Sequence, residues 1–250
     1  MVISTTGFSL NSWLPLRKSI KPMLHATFLN YILFSFMLIG VSYLLMPDYK
    51  LWAGFVIIAA APPGIAIIPF STMYKGNTSY AVSGVFGAHV FAMLIAPLML
   101  TIFLGNNIIN PLKILIILVE LVIVPIIISR FLRHPKTLPF FNAYRGKLTN
   151  WGFFFIITPI IALNRNVFFT QPDLILLTSL VFVICMYGLS IANKIISRKM
   201  KIKKADIVSS TFMMTIKSSA FSAVVAYQFL GASAAMPSAV LSVFVILFVI

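Results

Sequence analysis

Apolar runs of about 17 to 25 residues, the length that carries a helix across a bilayer, recur along nearly the whole chain. They lie at about 24–46, 50–74, 78–104, 112–132, 151–168, 173–196, 206–230 and 235–250. With 60% hydrophobic and only 9% charged residues, and a mean hydropathy of +1.05, a soluble domain of this size has no means of hiding so much apolar surface. The expected class is an all-α integral membrane protein. Met1–Leu10 is apolar but too short to span, and it lacks the basic start and the cleavage site of a signal peptide. It reads as the tail of a helix, and the last run stops at Ile250 without a polar flank. The expectation is one transmembrane domain over 1–250, with about eight full spans, an N-terminal half span, and a chain clipped at both ends.

The charge distribution sets a topology. One set of loops carries Arg17, Lys18, Lys21, Lys75, Arg130, Arg133, Lys136, Arg145, Lys147, Lys194, Arg198, Lys199, Lys201, Lys203 and Lys204, whereas the opposite set carries only Lys50, Lys113 and Arg165. Basic loops stay in the cytoplasm, so the C-terminus is expected there, in a cell membrane or a bacterial inner membrane. The run at 194–204 reads as a topology determinant, with an anionic membrane lipid as the lesser alternative. A formal charge of +15 invites a nucleic-acid reading, but the basic residues sit between apolar spans without aromatic interleaving. No nucleic-acid partner is expected. The lone Cys185 lies inside an apolar run, so neither a disulfide framework nor metal-ligand spacing is present. No cofactor or metal is expected. Without a phosphate-cradling glycine loop, or a nucleophile with base and orienting acid, the chain does not read as an enzyme.

Within this pattern, Ala59–Asn77 stands out. Its apolar run breaks at Pro62-Pro63-Gly64, resumes, breaks again at Pro69 and ends on Lys75-Gly76-Asn77. Prolines remove backbone donors and free carbonyls one turn earlier. Such a break is tolerated at membrane depth only where the freed groups line a cavity or are buried in protein. The plain alternative is a kinked packing helix. Roughly 155 residues later a second span, 206–230, changes character at Lys217-Ser218-Ser219-Ala220, and its flanking spans match those of the first. An odd number of helices separates the two, so the halves run oppositely through the membrane. The expected architecture is an inverted-repeat transporter with two broken, crossing helices, the repeats covering approximately 1–105, incomplete, and 112–250.

The motifs in this order resemble those of the bile acid:sodium symporter family, over essentially the whole chain. Pro62-Pro63-Gly64-Ile65-Ala66 stands where that family has Pro-Gly-Gly-Thr-Ala. Lys75-Gly76-Asn77 matches its basic residue followed by Gly-Asn. Val119-Glu120-Leu121-Val122-Ile123-Val124-Pro125 is similar to its Val-Gln-x-x-x-x-Pro, and Ser218-Ser219-Ala220-Phe221-Ser222-Ala223 to its Asn-Ser-Gly-Leu-Ala-Ala. The resemblance implies a ten-helix fold whose fourth and ninth helices are broken and cross. It also marks departures. Where sodium-coupled relatives carry oxygen-bearing side chains, this chain has Ile67, Ile68, Ala81, Val85 and Met213, and Lys217 replaces a Gln. Sodium is a hard cation that needs oxygen ligands. The resemblance therefore supports the fold and argues against the usual sodium sites.

Lys217 is the one Lys or Arg near the middle of a span, and an ionisable group there is costly enough to be a functional candidate. It follows the basic run by about 15 Å of helix, which disfavours snorkelling to the surface. Its ammonium would sit where a sodium ion sits in the relatives; a structural pair is the competing reading. Glu120, the one acid inside a span, either lines the cavity or exchanges protons, is held structurally, or pairs with Lys217. His89 is a packing residue or a proton relay. Ser71, Thr72, Ser218 and Ser219 lie at the two breaks with Pro63 and Gly64, and either contact substrate or satisfy freed carbonyls. The leading expectation is a secondary carrier of a small organic anion working by alternating access without the usual sodium sites. The alternatives are a sodium-coupled, bile acid-like symporter and a carrier-derived membrane sensor that no longer transports.

Overall fold

The computed structural model describes residues 16–105, 111–131, 138–163, 165 and 170–249. The expected half span at Met1–Leu10 lies outside these residues. The described chain is almost wholly helical. Helix α1 (Leu16–Thr27) passes through a π-helical segment (Phe28–Phe34) into α2 (Ser35–Leu45). Helices α3 (Tyr49–Ala60) and α4 (Ile67–Met73) are the two halves of one broken span, followed by α5 (Thr78–Leu104). Then come α6 (Pro111–Phe131) and α7 (Leu138–Leu163). Helix α8 (Pro172–Phe182) leads through a second π-helical segment (Val183–Tyr187) into α9 (Gly188–Lys199). Helices α10 (Lys204–Thr215) and α11 (Ser219–Leu230) form the second broken span, and α12 (Ala232–Val249) follows.

Among the described residues, four continuous helical stretches are long and apolar enough to cross a membrane: Ile20–Leu45, Thr78–Leu104, Pro172–Lys199 and Ala232–Val249. Two shorter apolar helices, Tyr49–Ala60 and Ser219–Leu230, are one half of each broken span. Two starts differ from the spans read in the sequence. The first described helix already includes Leu16, so Arg17, Lys18 and Lys21 are helical rather than in a loop. Helix α7 is already helical at Leu138, well before 151, so Arg145 and Lys147 extend a helix beyond its apolar part. Hydropathy locates the part of a helix that lipid tolerates, and the helical hydrogen bonds continue past it.

Helix ends follow local chemistry. Asn77 accepts from the Tyr80 amide at 3.0 Å to start α5, and Ser218 accepts from the Phe221 amide at 3.4 Å to start α11. Gly105 and Gly231 close α5 and α11 at φ of 81° and 86°, a region that glycine enters without a side-chain clash. Helix α3 is buried on nearly every side, from Ala53 through Ala60, as expected for an apolar helix at the centre of a bundle. It packs against α2, α5, α11 and α12. The approach to α12 is very close: a β-carbon on Gly54 would fall 2.3 Å from the Ala234 carbonyl oxygen. Small residues let membrane helices come together in this way.

Candidate functional site

Both interruptions lie at the centre of the bundle and meet. Pro63 and Lys217 form an isolated antiparallel bridge. The Gly64 amide donates to the Ile216 carbonyl at 3.1 Å, and the Ser218 amide donates to the Pro62 carbonyl at 2.9 Å. Each break thus supplies the partner that the other lacks. Gly64 eases this approach, because a β-carbon there would sit 3.0 Å from Ile216 Cγ2 and 3.2 Å from the Lys217 carbonyl oxygen, closer than most such contacts.

The proline pair also determines where charge is needed. Pro63 has no N–H to offer the Ala59 carbonyl one turn earlier, so that oxygen is released from the helix ladder. Lys217, 2% exposed, donates from Nζ to Ala59 O at 2.8 Å and to Ala61 O at 3.0 Å. Its Nζ also lies 4.1 Å from the centroid of the Tyr31 ring, within cation–π range. Lys217 is therefore a buried tether that binds the carbonyls of one broken helix from the other. Snorkelling is excluded by its burial.

A second layer fixes these acceptors. Ser35 donates to Ala59 O at 2.7 Å and to Asn30 O at 3.0 Å. Asn30 Nδ2 donates to Met213 O at 2.9 Å, and Asn30 Oδ1 is buried without a described partner. Asn30 and Tyr31 belong to the first π-helical segment, which packs on α10. In the sequence, Asn30, Tyr31 and Ser35 carry only a weak signal, three polar or amphipathic side chains inside one apolar span.

The other expected residues divide by position. Ser218 and Ser219 sit beside Lys217, partly exposed at the start of α11. Ser222 donates to the carbonyls of both, at 3.1 Å each, and itself accepts from Ser238 at 2.9 Å. Ser71 is fully buried in α4, with a hydroxyl that has no described partner. Thr72 is exposed and donates to Ile68 O at 3.1 Å, near the turn rather than at the crossing. His89 is buried in α5, its Nδ1 bonded to Val85 O at 2.7 Å and its Nε2 unpartnered. Ile67, Ile68, Ala81, Val85 and Met213 are all core residues.

Glu120 is exposed on α6 and is not among the partners of Lys217. It continues the α6 face formed by Lys113, Ile116 and Ile117, two turns along. Those three residues, with Gln228 and Phe229 near the end of α11, line a cavity of about 480 Å³. The cavity thus runs between α6 and the broken helix whose other end starts at Ser219.

A polar clamp that the sequence did not announce joins the ends of the two broken units. Asn77 Nδ2 donates to Asp206 Oδ1 at 2.6 Å, the Asn77 amide to Ala205 O at 2.9 Å, and Ser209 to Asn77 O at 3.1 Å. The Lys75-Gly76-Asn77 turn thereby anchors the first break on the start of α10.

The model of the SBF-like CPA transporter family matches residues 16–250. A search of curated proteins finds no match to the chain.

Proposed function

Because the chain belongs to the SBF-like CPA transporter family, we propose that it is a secondary carrier that moves a small organic anion by alternating access, with the Lys217 ammonium in the place of a bound sodium ion. The observation that carries this reading is the Lys217 tether on Ala59 O and Ala61 O at the meeting of the two breaks. A cation at that point holds together carbonyl dipoles that a proline-broken helix leaves unsatisfied. Core side chains without oxygen at Ile67, Ile68, Ala81, Val85 and Met213 support a carrier that does not use the usual sodium ligands.

The anion would rest against the start of α11, where Ser218 and Ser219 are partly exposed and the helix dipole favours negative charge. The cavity between α6 and α11 would serve as its approach, with Lys113 on its wall and Glu120 exposed two turns further along α6. Pro63 and Gly64 would shape the crossing. Ser71 and His89, each with an unpartnered buried atom, would supply further polar contacts on the α4 and α5 side.

Two features support inverted repeats approximating 1–105 and 112–250. Each half has a π-helical segment in the helix preceding its break, and the Gly64–Ile216 and Ser218–Pro62 bonds exchange places when the halves are interchanged. The excess of Lys and Arg on one set of loops supports a cytoplasmic C-terminus.

Flux tests this proposal. Purified full-length protein in proteoliposomes should take up at least one member of a panel of labelled monocarboxylates and monosulfonates above protein-free vesicles. Absence of protein-dependent uptake across the panel would favour a sensor that has lost transport.

A further inference from the structure

The chemistry around Lys217 bears on the transport cycle. The three described partners of Nζ are electron-rich: two carbonyl oxygens and an aromatic face. A neutral amine would have to aim its lone pair at one of them, whereas an ammonium offers three N–H groups. The site is therefore built for a positive charge.

Among the described residues, no carboxylate lies within ion-pair distance of that charge. Asp206 is in the first turn of the 12-residue helix α10, about 14 Å along the axis from the end that leads to Lys217, and is bonded to Asn77. Asp48 precedes α3 at the end remote from Ala59. Helices α4 and α11 contain no acid. Glu120 is on α6, which supplies none of the contacts of Lys217. An ammonium at the crossing is thus a positive charge, fixed covalently to the protein, that no described carboxylate compensates.

A sodium ion at such a point leaves after delivery, so the empty carrier resets without it. A side chain cannot leave. When the crossing is loaded, a substrate anion stands near the ammonium and cancels its field; when it is empty, the charge must cross alone. Charge interactions are strong where water is excluded, and an unpaired buried charge is costly. The loaded carrier should therefore reset faster than the empty one. One negative charge balances one positive charge, whereas a dianion leaves an excess of the opposite sign.

We infer that the protein is an exchanger, trading one monovalent organic anion for another across the membrane. This rests on the carrier reading above and adds the mode of transport to it. The test uses the full chain in proteoliposomes and the panel anion with the fastest uptake. Vesicles are filled either with the same anion, unlabelled, or with impermeant buffer. Initial uptake should be at least about tenfold faster into loaded vesicles, a barrier difference of about 1.4 kcal/mol. An imposed potassium diffusion potential should alter exchange by less than about twofold, because the loaded crossing carries no net charge through the field. Lys217→Arg, which keeps the charge, should keep the dependence on internal anion. Equal uptake into loaded and unloaded vesicles would refute exchange while leaving the carrier reading intact. No protein-dependent uptake under either loading would refute the carrier reading and exchange with it.

Discussion

Replacing Lys217 by Met keeps side-chain length and removes the charge, so it isolates what the ammonium contributes. Ala61 O has Nζ as its one described partner and would be left buried and unpaired. Ala59 O would keep the Ser35 hydroxyl at 2.7 Å. Each lost bond to a charged donor contributes about 1.5–3 kcal/mol, and the Tyr31 contact about 0.5–2 kcal/mol more. Removing the ammonium also removes the cost of burying it, which offsets part of the sum. Breaking a buried charged network from one side costs about 3–5 kcal/mol, and the bond retained at Ala59 O places this case near 3 kcal/mol. For a chain of this length that corresponds to a fall of roughly 6–12 °C in melting temperature. A thermal melt in detergent, monitored by a dye or by size-exclusion recovery, reads this directly. Flux should be lost in the same variant. Lys217→Arg should recover stability better than flux, because a planar guanidinium keeps charge but does not reproduce the ammonium geometry. If Lys217→Met melts within about 1 °C of the parent and transports normally, the ammonium neutralises nothing that matters, and the reasoning from Ala59 and Ala61 is wrong.

Other substitutions probe the frame around the site. Asn77→Ala removes the Asp206 bond and the amide cap on α5, and should cost about 1–3 kcal/mol, read as a lower melting temperature. Asn77→Asp should be worse, since it sets two carboxylates against each other at the same distance. Gly54→Ala drives a β-carbon into the Ala234 carbonyl, and should destabilise by about 1–3 kcal/mol in the same melt. For topology, a cysteine at Met200 should resist an impermeant thiol reagent in intact cells while one at Tyr49 reacts; both positions are exposed, and the native Cys185 is buried. The reverse labelling pattern would invert the orientation drawn from the basic loops.

Much of this architecture is legible in the sequence because lipid imposes strong rules. The broken spans and the buried Lys217 follow from proline chemistry and from the cost of charge in hydrocarbon. What charge pairs with was not legible. The acceptors at Ala59 and Ala61 are backbone groups without a side-chain signature, and Tyr31 comes to Nζ from a helix far away in sequence. The π-helical segments were equally silent, since a local change of helical register leaves an all-apolar run looking the same. Lys75-Gly76-Asn77 was noticed for its resemblance to a family motif, but its partner Asp206 looked like an ordinary charge at a span end. Pairing with Lys217 is one of the sequence expectations for Glu120, yet Glu120 is exposed on α6 and the contacts of Lys217 come from Ala59, Ala61 and Tyr31.

The claim that the ammonium stands in for sodium is tested most directly by the ion dependence of the unmodified protein. Initial uptake of the fastest panel anion should be measured in proteoliposomes with sodium on both sides, and again with sodium fully replaced by choline. The account predicts equal rates, since Lys217 already occupies the carbonyls of the crossing and Ile67, Ile68, Ala81, Val85 and Met213 offer no side-chain oxygen. A fall of about tenfold or more in choline, equivalent to about 1.4 kcal/mol of lost stabilisation, would show that sodium enters the cycle and would contradict the substitution.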